Sequence, residues 1–229
     1  MILRRSRGDG ECFVELDEAV KALTDRVVVF NANYGTCPPA GSIIYNTDLV
    51  GIHCDPAKWR GHEIWDFCYR NIALYPADIP VTYVPIGFHP SMQRFKRLPL
   101  EKRDIDVVFS GAMNARREKV LTGFRKAGLV VVWNDLIVQR DALLARSRLA
   151  LNMLFYTDGV YPVVRAAHLV ANGTPMLNET SPEMPLWAGG GVGVDQLVDA
   201  AVVMLRQPID EVAVECLEKF RAAPLVLPC

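Results

Sequence analysis

Between Asp104 and Arg117 the chain reads DIDVVFSGAMNARR, a segment with the parts of an anion-binding turn. Ile105, Val107, Val108 and Phe109 form an apolar run of strand length that stops at Ser110-Gly111. Arg116, Arg117, Glu118 and Lys119 then open a helically spaced stretch with Val120, Leu121, Phe124 and Ala127 as its apolar face. In an open α/β sheet such a turn lies at the carboxyl end of a strand, where ligands bind. A glycine lets a phosphate approach the backbone, and the helix start offers unpaired N–H groups at the positive end of its dipole. Arg116 and Arg117 could add charge-assisted bonds to an anion. The same residues also suit a plain tight turn with a solvated basic helix start.

A second set of polar groups falls at strand ends nearer the N-terminus. Val27 to Phe30 reads as a buried strand ending in Asn31-Ala32-Asn33, and Ser42 to Tyr45 as another ending in Asn46-Thr47-Asp48. In a parallel sheet these ends share one rim, so Asn31, Asn33, Asn46 and Asp48 could converge on a ligand. The alternative is that Asn and Asp simply cap turns. His53 follows on the same side, while His62 and His89 read as surface or turn residues.

These residues need two α/β patterns to position them. A helix is expected over Asp17–Leu23 and another near Lys58–His62, with strands near Ile64–Phe67 and Val81–Ile86. Trp59, Trp65, Phe67 and Tyr69 read as core aromatics before sugar-stacking ones. The Gly87-Phe88-His89-Pro90 turn and the basic run Arg94 to Arg103, interrupted by Pro99, read as a crossing point and a linker. The second half alternates more cleanly. Strands are expected at Leu129–Trp133, Leu149–Leu154 and Pro175–Leu177. Helices are expected at Asp141–Ser147, Val163–Ala171, Asp195–Leu205 (capped by Asp195) and Glu211–Phe220, with Gly173 in a left-handed position after the second of them. Such alternation implies a parallel, doubly wound sheet.

Composition bounds the function. The chain has 229 residues, 51% hydrophobic and 22% charged, with net charge −1, which suits one large or two small globular domains and gives no support to a nucleic-acid binder as a whole. No stretch approaches the length of a membrane span. The arginines of MILRRSR have no apolar core behind them, so a secretory signal is not expected. The six cysteines are scattered without a CxxC pair, which points to free thiols in a cytoplasmic setting and not to a disulfide frame or zinc site.

The order DVVFSG, then VVRAAHLVANGTPMLNE, resembles the donor-binding domain of GT-B glycosyltransferases, which have two facing Rossmann-like domains. Within that class it looks closest to the bacterial and phage group related to spore-maturation-type enzymes, as do IIYNTD, IWDFCYRN and YVPIGFHP. The resemblance spans roughly Ser42 to Leu205. It implies a reduced acceptor-side domain over residues 1–93 and a donor-binding domain over 94–229.

It also implies transfer of a sugar, a hexosyl unit above all, from a nucleotide-sugar, with a UDP-sugar the expected donor. Gly111, Asn114 and Arg117 would then face the donor diphosphate, with Arg165 beside it at the start of the helix from Val163. His168 and Glu179 would reach the ribose, although His168 on a largely apolar helix also reads as a buried, satisfied histidine. Asn31, Asn33 and Asn46 would lie on the acceptor side. His53 and Asp48 are the candidate bases, His53 with an unperturbed pKa of roughly 6.5 and Asp48 if burial raises its own. Packing of His53 on Trp59 and capping by Asp48 are the alternatives. Neither a metal nor another cofactor is expected, with arginines and helix dipoles taking the leaving-group charge.

Val160 and His168 stand where many retaining members carry two glutamates, which tilts the expected chemistry slightly towards inversion. The acceptor stays open among a glycan, a small molecule, a protein and a modified DNA base, the last a minority option resting on Arg4, Arg5, Arg7 and the Arg94–Arg103 run. The short first domain leaves room for completion by a second copy of the chain. It also allows a non-catalytic nucleotide-sugar-binding or partner subunit.

Overall fold

A computed structural model describes residues 3–4, 14–30, 38–51, 55–135 and 137–228. The chain divides into two compact units, Met1–Ser91 with Leu225–Cys229, and Met92–Pro224. The division expected from sequence was 1–93 and 94–229. The C-terminal tail joins the first unit through the Leu225 N–H, which donates to Phe88 O at 2.9 Å.

The first unit carries five parallel strands: β1 (Leu3–Arg4), β2 (Val28–Phe30), β3 (Ile43–Asn46), β4 (Glu63–Asp66) and β5 (Val81–Tyr83). They lie in chain order, β1-β2-β3-β4-β5, so the sheet winds one way throughout. Helix α1 (Val14–Leu23) buries Leu16, Ala19 and Val20 and leaves Leu23 exposed at its end. The helix expected near Lys58–His62 is instead one 3-10 turn over Pro56–Trp59. Asp55 starts it by accepting from the Ala57 N–H at 3.1 Å, and Gly61, at φ +86°, ends it. Trp59 and Trp65 are core residues, as their size suggests. Tyr69 is not: it opens the short helix α2 (Tyr69–Ile72), exposed, and stacks on Tyr83.

In the second unit the strands are β6 (Ile105–Ser110), β7 (Val131–Asn134), β8 (Ser147–Asn152), β9 (Met176–Glu179) and β10 (Gly191–Val192). All pair in parallel, in the order β10-β9-β8-β6-β7. Chain order therefore reverses between β6 and β8, which makes that gap the topological switch point of the sheet. The helices are α3 (Ala115–Lys126), α4 (Ile137–Arg146), α5 (Val163–Ala171), α6 (Leu197–Met204) and α7 (Ile209–Arg221). Val107, Phe109, Leu121, Phe124, Leu149, Leu151, Leu177 and Leu197 form its core. Each fully buried side chain of this kind contributes about 1.5–3 kcal/mol. The strand–turn–helix at β6 and α3, the helix α5 and Gly173 at φ +62° all match the sequence pattern. The fold class is the expected one, α/β with two Rossmann-like parallel units.

Two further local expectations fail, both in the second unit. Asp195 caps no α-helix; it lies in a 3-10 turn, Val194–Gln196, and α6 begins at Leu197. Within the basic run 94–103, Arg97 and Arg103 are packed, while Arg94, Lys96 and Lys102 are exposed as a linker's would be. Arg97 and Arg103 both reach Asp210 on α7, at 2.7 and 2.8 Å, and Arg97 also donates to the carbonyls of Ser147 and Gly173. The backbone N–H groups of Arg94 and Phe95 both donate to Asn172 Oδ1. Among the described residues no helix is long and apolar enough to cross a membrane.

Candidate functional site

The carboxyl rim of the second sheet gathers three arginines around the switch point. Gly111 follows β6 directly, at φ +150°, a conformation that L side chains rarely adopt. A Cβ there would lie 2.7 Å from Arg165 Nη2 and 3.3 Å from the Phe109 ring, so only glycine leaves that guanidinium its place. The turn is pinned from the edge strand β7. The Gly111 N–H donates to Asn134 O at 3.0 Å, and the Trp133 indole N–H donates to Gly111 O at 2.8 Å. The Gly111 amide is thus already used, and its contribution to an anion site is space for Arg165.

Arg117 is fully enclosed. Its guanidinium donates to the carbonyls of Ala112 (2.6 Å), Met153 (2.7 Å) and Leu154 (3.1 Å), between the rings of Phe109 and Phe155. It holds the turns after β6 and β8 together. Burial, then the neighbouring charges of Arg165 and Arg116, lower its pKa to about 9, the Glu179 charge offsetting only part. Asn114 caps α3, accepting from the Arg117 N–H at 2.9 Å and donating to Phe155 O at 2.8 Å. Arg116 forms a two-pronged pair with Glu179, whose Oε2 lies 3.0 Å from Nη1 and also accepts from the Leu154 N–H at 2.9 Å.

Arg165 differs from both. It sits in the first turn of α5, half-buried, and donates to Asn152 Oδ1 and Met153 O, both at a long 3.3 Å. Its guanidinium rests over the Phe109 ring, 5.2 Å from the centroid. Among the described residues no carboxylate pairs with it. Burial lowers its pKa to about 10, which leaves it charged at neutral pH. No side chain caps α5, whose N-cap residue is Pro162, so a dipole end and an unneutralised cation coincide. Three arginines and one glutamate leave this rim with net positive charge. The Ser110 hydroxyl, buried at the same rim, has no partner among the described residues.

The two residues expected at a ribose are otherwise engaged. Glu179 is held by Arg116 and Leu154, as above. His168 is buried, its Nε2 2.8 Å from Asp141 Oδ1 on α4. Burial pushes the Asp141 carboxyl up, but its hydrogen bond to His168 and the His168 and Arg140 charges outweigh that and bring it to about 2.

The rim of the first sheet contains a residue that sequence reading missed. Asp66, at the end of β4, is fully buried. Its Oδ1 accepts from the Cys68 N–H (2.9 Å) and Asn71 (3.3 Å); its Oδ2 accepts from Asn46 (2.8 Å) and the Tyr75 hydroxyl (3.0 Å). Burial raises its pKa to about 6 against the pull of those four donors. Asn46 thus points into a buried network. Asp48 shapes the next turn, Oδ1 accepting from the Leu49 N–H at 2.8 Å. Asn31, Asn33 and His53 lie outside the described residues. An aspartate closing a strand was a visible signal for Asp66, obscured by the aromatic residues around it.

No family model and no curated protein matches the sequence. Among solved structures, the chain shares its fold with AviGT4, a glycosyltransferase involved in avilamycin A biosynthesis. The TM-score is 0.55 at 14% identity, covering 94% of this chain and 85% of that one. Accessory secretory proteins 1, 2 and 3 of Streptococcus pneumoniae give 0.49 at 8% identity, over 89% of this chain and 51% of theirs. The DNA-modifying β-glucosyltransferase, solved with and without its substrate uridine diphosphoglucose, gives 0.47 at 13%, over 92% and 80%. At these identities the first likeness establishes the fold alone, and the other two add no weight to it.

Proposed function

We propose that this chain is a glycosyltransferase that takes a sugar, a hexosyl unit above all, from a nucleotide-sugar donor, with a UDP-sugar the expected one. The observation that carries the reading is Arg165, a half-buried cation without a carboxylate partner among the described residues, at the switch point of a parallel sheet. A departing nucleoside diphosphate gains negative charge as the glycosidic bond breaks. A fixed cation and a helix N-terminus at that spot stabilise the leaving group more than the bound donor, which is what lowers a barrier. Arg165 and the start of α5 would bind the diphosphate, while Arg117 and Asn114 hold the turns that shape its seat. These groups supply the positive charge, so no metal is required in the proposed transfer. The shared fold with a glycosyltransferase agrees with this reading. The acceptor class stays unassigned.

A thermal-shift series with UDP, GDP, TDP and their sugars tests the proposal. A ligand at a hundred times its Kd stabilises the fold by about 2.7 kcal/mol. No shift with any nucleotide would remove the reading. A second reading, a nucleotide-sugar-binding subunit without turnover, draws on Glu179 and His168, both engaged within the protein. Donor binding without donor hydrolysis or transfer would favour it.

A further inference from the structure

We infer that the donor's nucleobase stacks on Trp133, at the β7 edge of the second sheet, a subsite that rests on the donor reading above. Three observations converge. First, the indole N–H bond to Gly111 O fixes the Trp133 side chain directly beside the turn against which Arg165 lies. Second, Trp133 is 40% exposed, whereas Trp59, Trp65 and Trp187 are at most 6% exposed, so one tryptophan of four is kept out of the core and anchored by its only polar atom. Third, the carboxylate on the β9 side of the turn is already engaged. Glu179 is clamped by Arg116 and the Leu154 N–H. A nucleoside whose diphosphate sits on Arg165 would meet the exposed Trp133 ring on the β7 side. An anchored, half-exposed indole beside a cation suits a flat π-system carrying a phosphate, which is the chemistry of a nucleotide. A hydroxyl-rich or purely anionic ligand gains less from it. Stacking is tolerant of base identity, so the subsite would add affinity without choosing strongly between uracil, guanine and thymine.

The test is calorimetry on the intact chain with UDP and with inorganic pyrophosphate, using Trp133→Ala and Trp133→Phe. Trp133→Ala is expected to weaken UDP by at least about fivefold, the low end for loss of base–aromatic stacking, and to leave pyrophosphate within about twofold. Trp133→Phe keeps a ring but not the N–H, and should retain most of the preference for UDP over pyrophosphate. UDP should quench the intrinsic fluorescence of the wild type and not of Trp133→Phe. Equal losses for UDP and pyrophosphate in Trp133→Ala would overturn the stacking role and leave Trp133 as a support for the turn. Unchanged UDP binding in Trp133→Ala would overturn it too. If neither ligand binds the wild type, the donor reading itself fails, an outcome distinct from both.

Discussion

The two sheets share a parallel architecture and differ at their carboxyl rims. In the first, strands follow in chain order, and the rim closes on itself: one buried carboxylate, Asp66, takes four donors. In the second, chain order reverses between β6 and β8, and the rim holds three arginines against one glutamate. A reversal sends successive helices to opposite faces and opens a crevice between their starts. Buried charge that is internally satisfied is architecture. Buried charge left in surplus is held by the fold at a cost that a ligand can offset. In the proposed reading, the Asp66 network serves stability and the Arg165 cluster would serve ligand binding.

The largest effect that would test this contrast is Asp66→Ala. It leaves four donors facing an empty space, at a cost on the order of 3 kcal/mol or more, and should lower Tm by roughly 6–12 °C without changing nucleotide affinity. Loss of nucleotide binding in a folded Asp66→Ala protein would break the comparison. Arg165→Ala should do the converse. Nucleotide affinity falls by more than about 1.5 kcal/mol, while thermal stability holds or rises, because a half-buried charge without a carboxylate partner is gone. Calorimetry and a melting curve on one sample read both.

Asp66 also gives the first unit a pH signature. Its folded pKa of about 6 lies above the ordinary carboxyl value of 3.8. The folded state therefore binds the proton more tightly than the unfolded state. The stabilisation is complete below about pH 4 and lost as pH rises through 6, for a total on the order of 3 kcal/mol. Asp141 works the other way: at about 2 when folded, its contribution is present above the normal range and lost as pH falls through 2. Urea denaturation between pH 4 and 7 should show the Asp66 slope in the wild type and not in Asp66→Asn. The smallest expected effect is at the α3 cap. Asn114→Ala should cost about 1 kcal/mol of stability, typical of a lost N-cap, read as a shift in urea midpoint at constant slope.

Local pattern made much of the second unit legible. β6, the turn at Gly111, α3 and α5 each follow from periodicity and a small-residue stop within one short segment. What escaped were contacts between segments. Arg97 and Arg103 read as part of a linker because the stretch around them is polar and interrupted by Pro99; their partner Asp210 is more than a hundred residues away. Arg117 has the right position for a phosphate ligand, but its donors are taken by carbonyls from two turns. Trp133 read only as the end of a strand, because its bond to Gly111 crosses to a neighbouring strand. Asp66 was masked by its setting: Asn46 reaches it from β3, while Cys68, Asn71 and Tyr75 follow it in an aromatic-rich stretch that gave no sign of converging on it.

Asn172 has a consequence for how the second unit opens. Its side-chain oxygen takes the amides of Arg94 and Phe95, while its amide donates to Met92 O and to His168 O within α5. Deuterium can reach those two amides only when this clasp at the far end of α5 releases. Arg165 lies near the other end of the same helix. A ligand that steadies α5 from its first turn should slow isotope uptake at Arg94 and Phe95, giving a label at the C-terminal end of the helix for an occupant bound at its beginning.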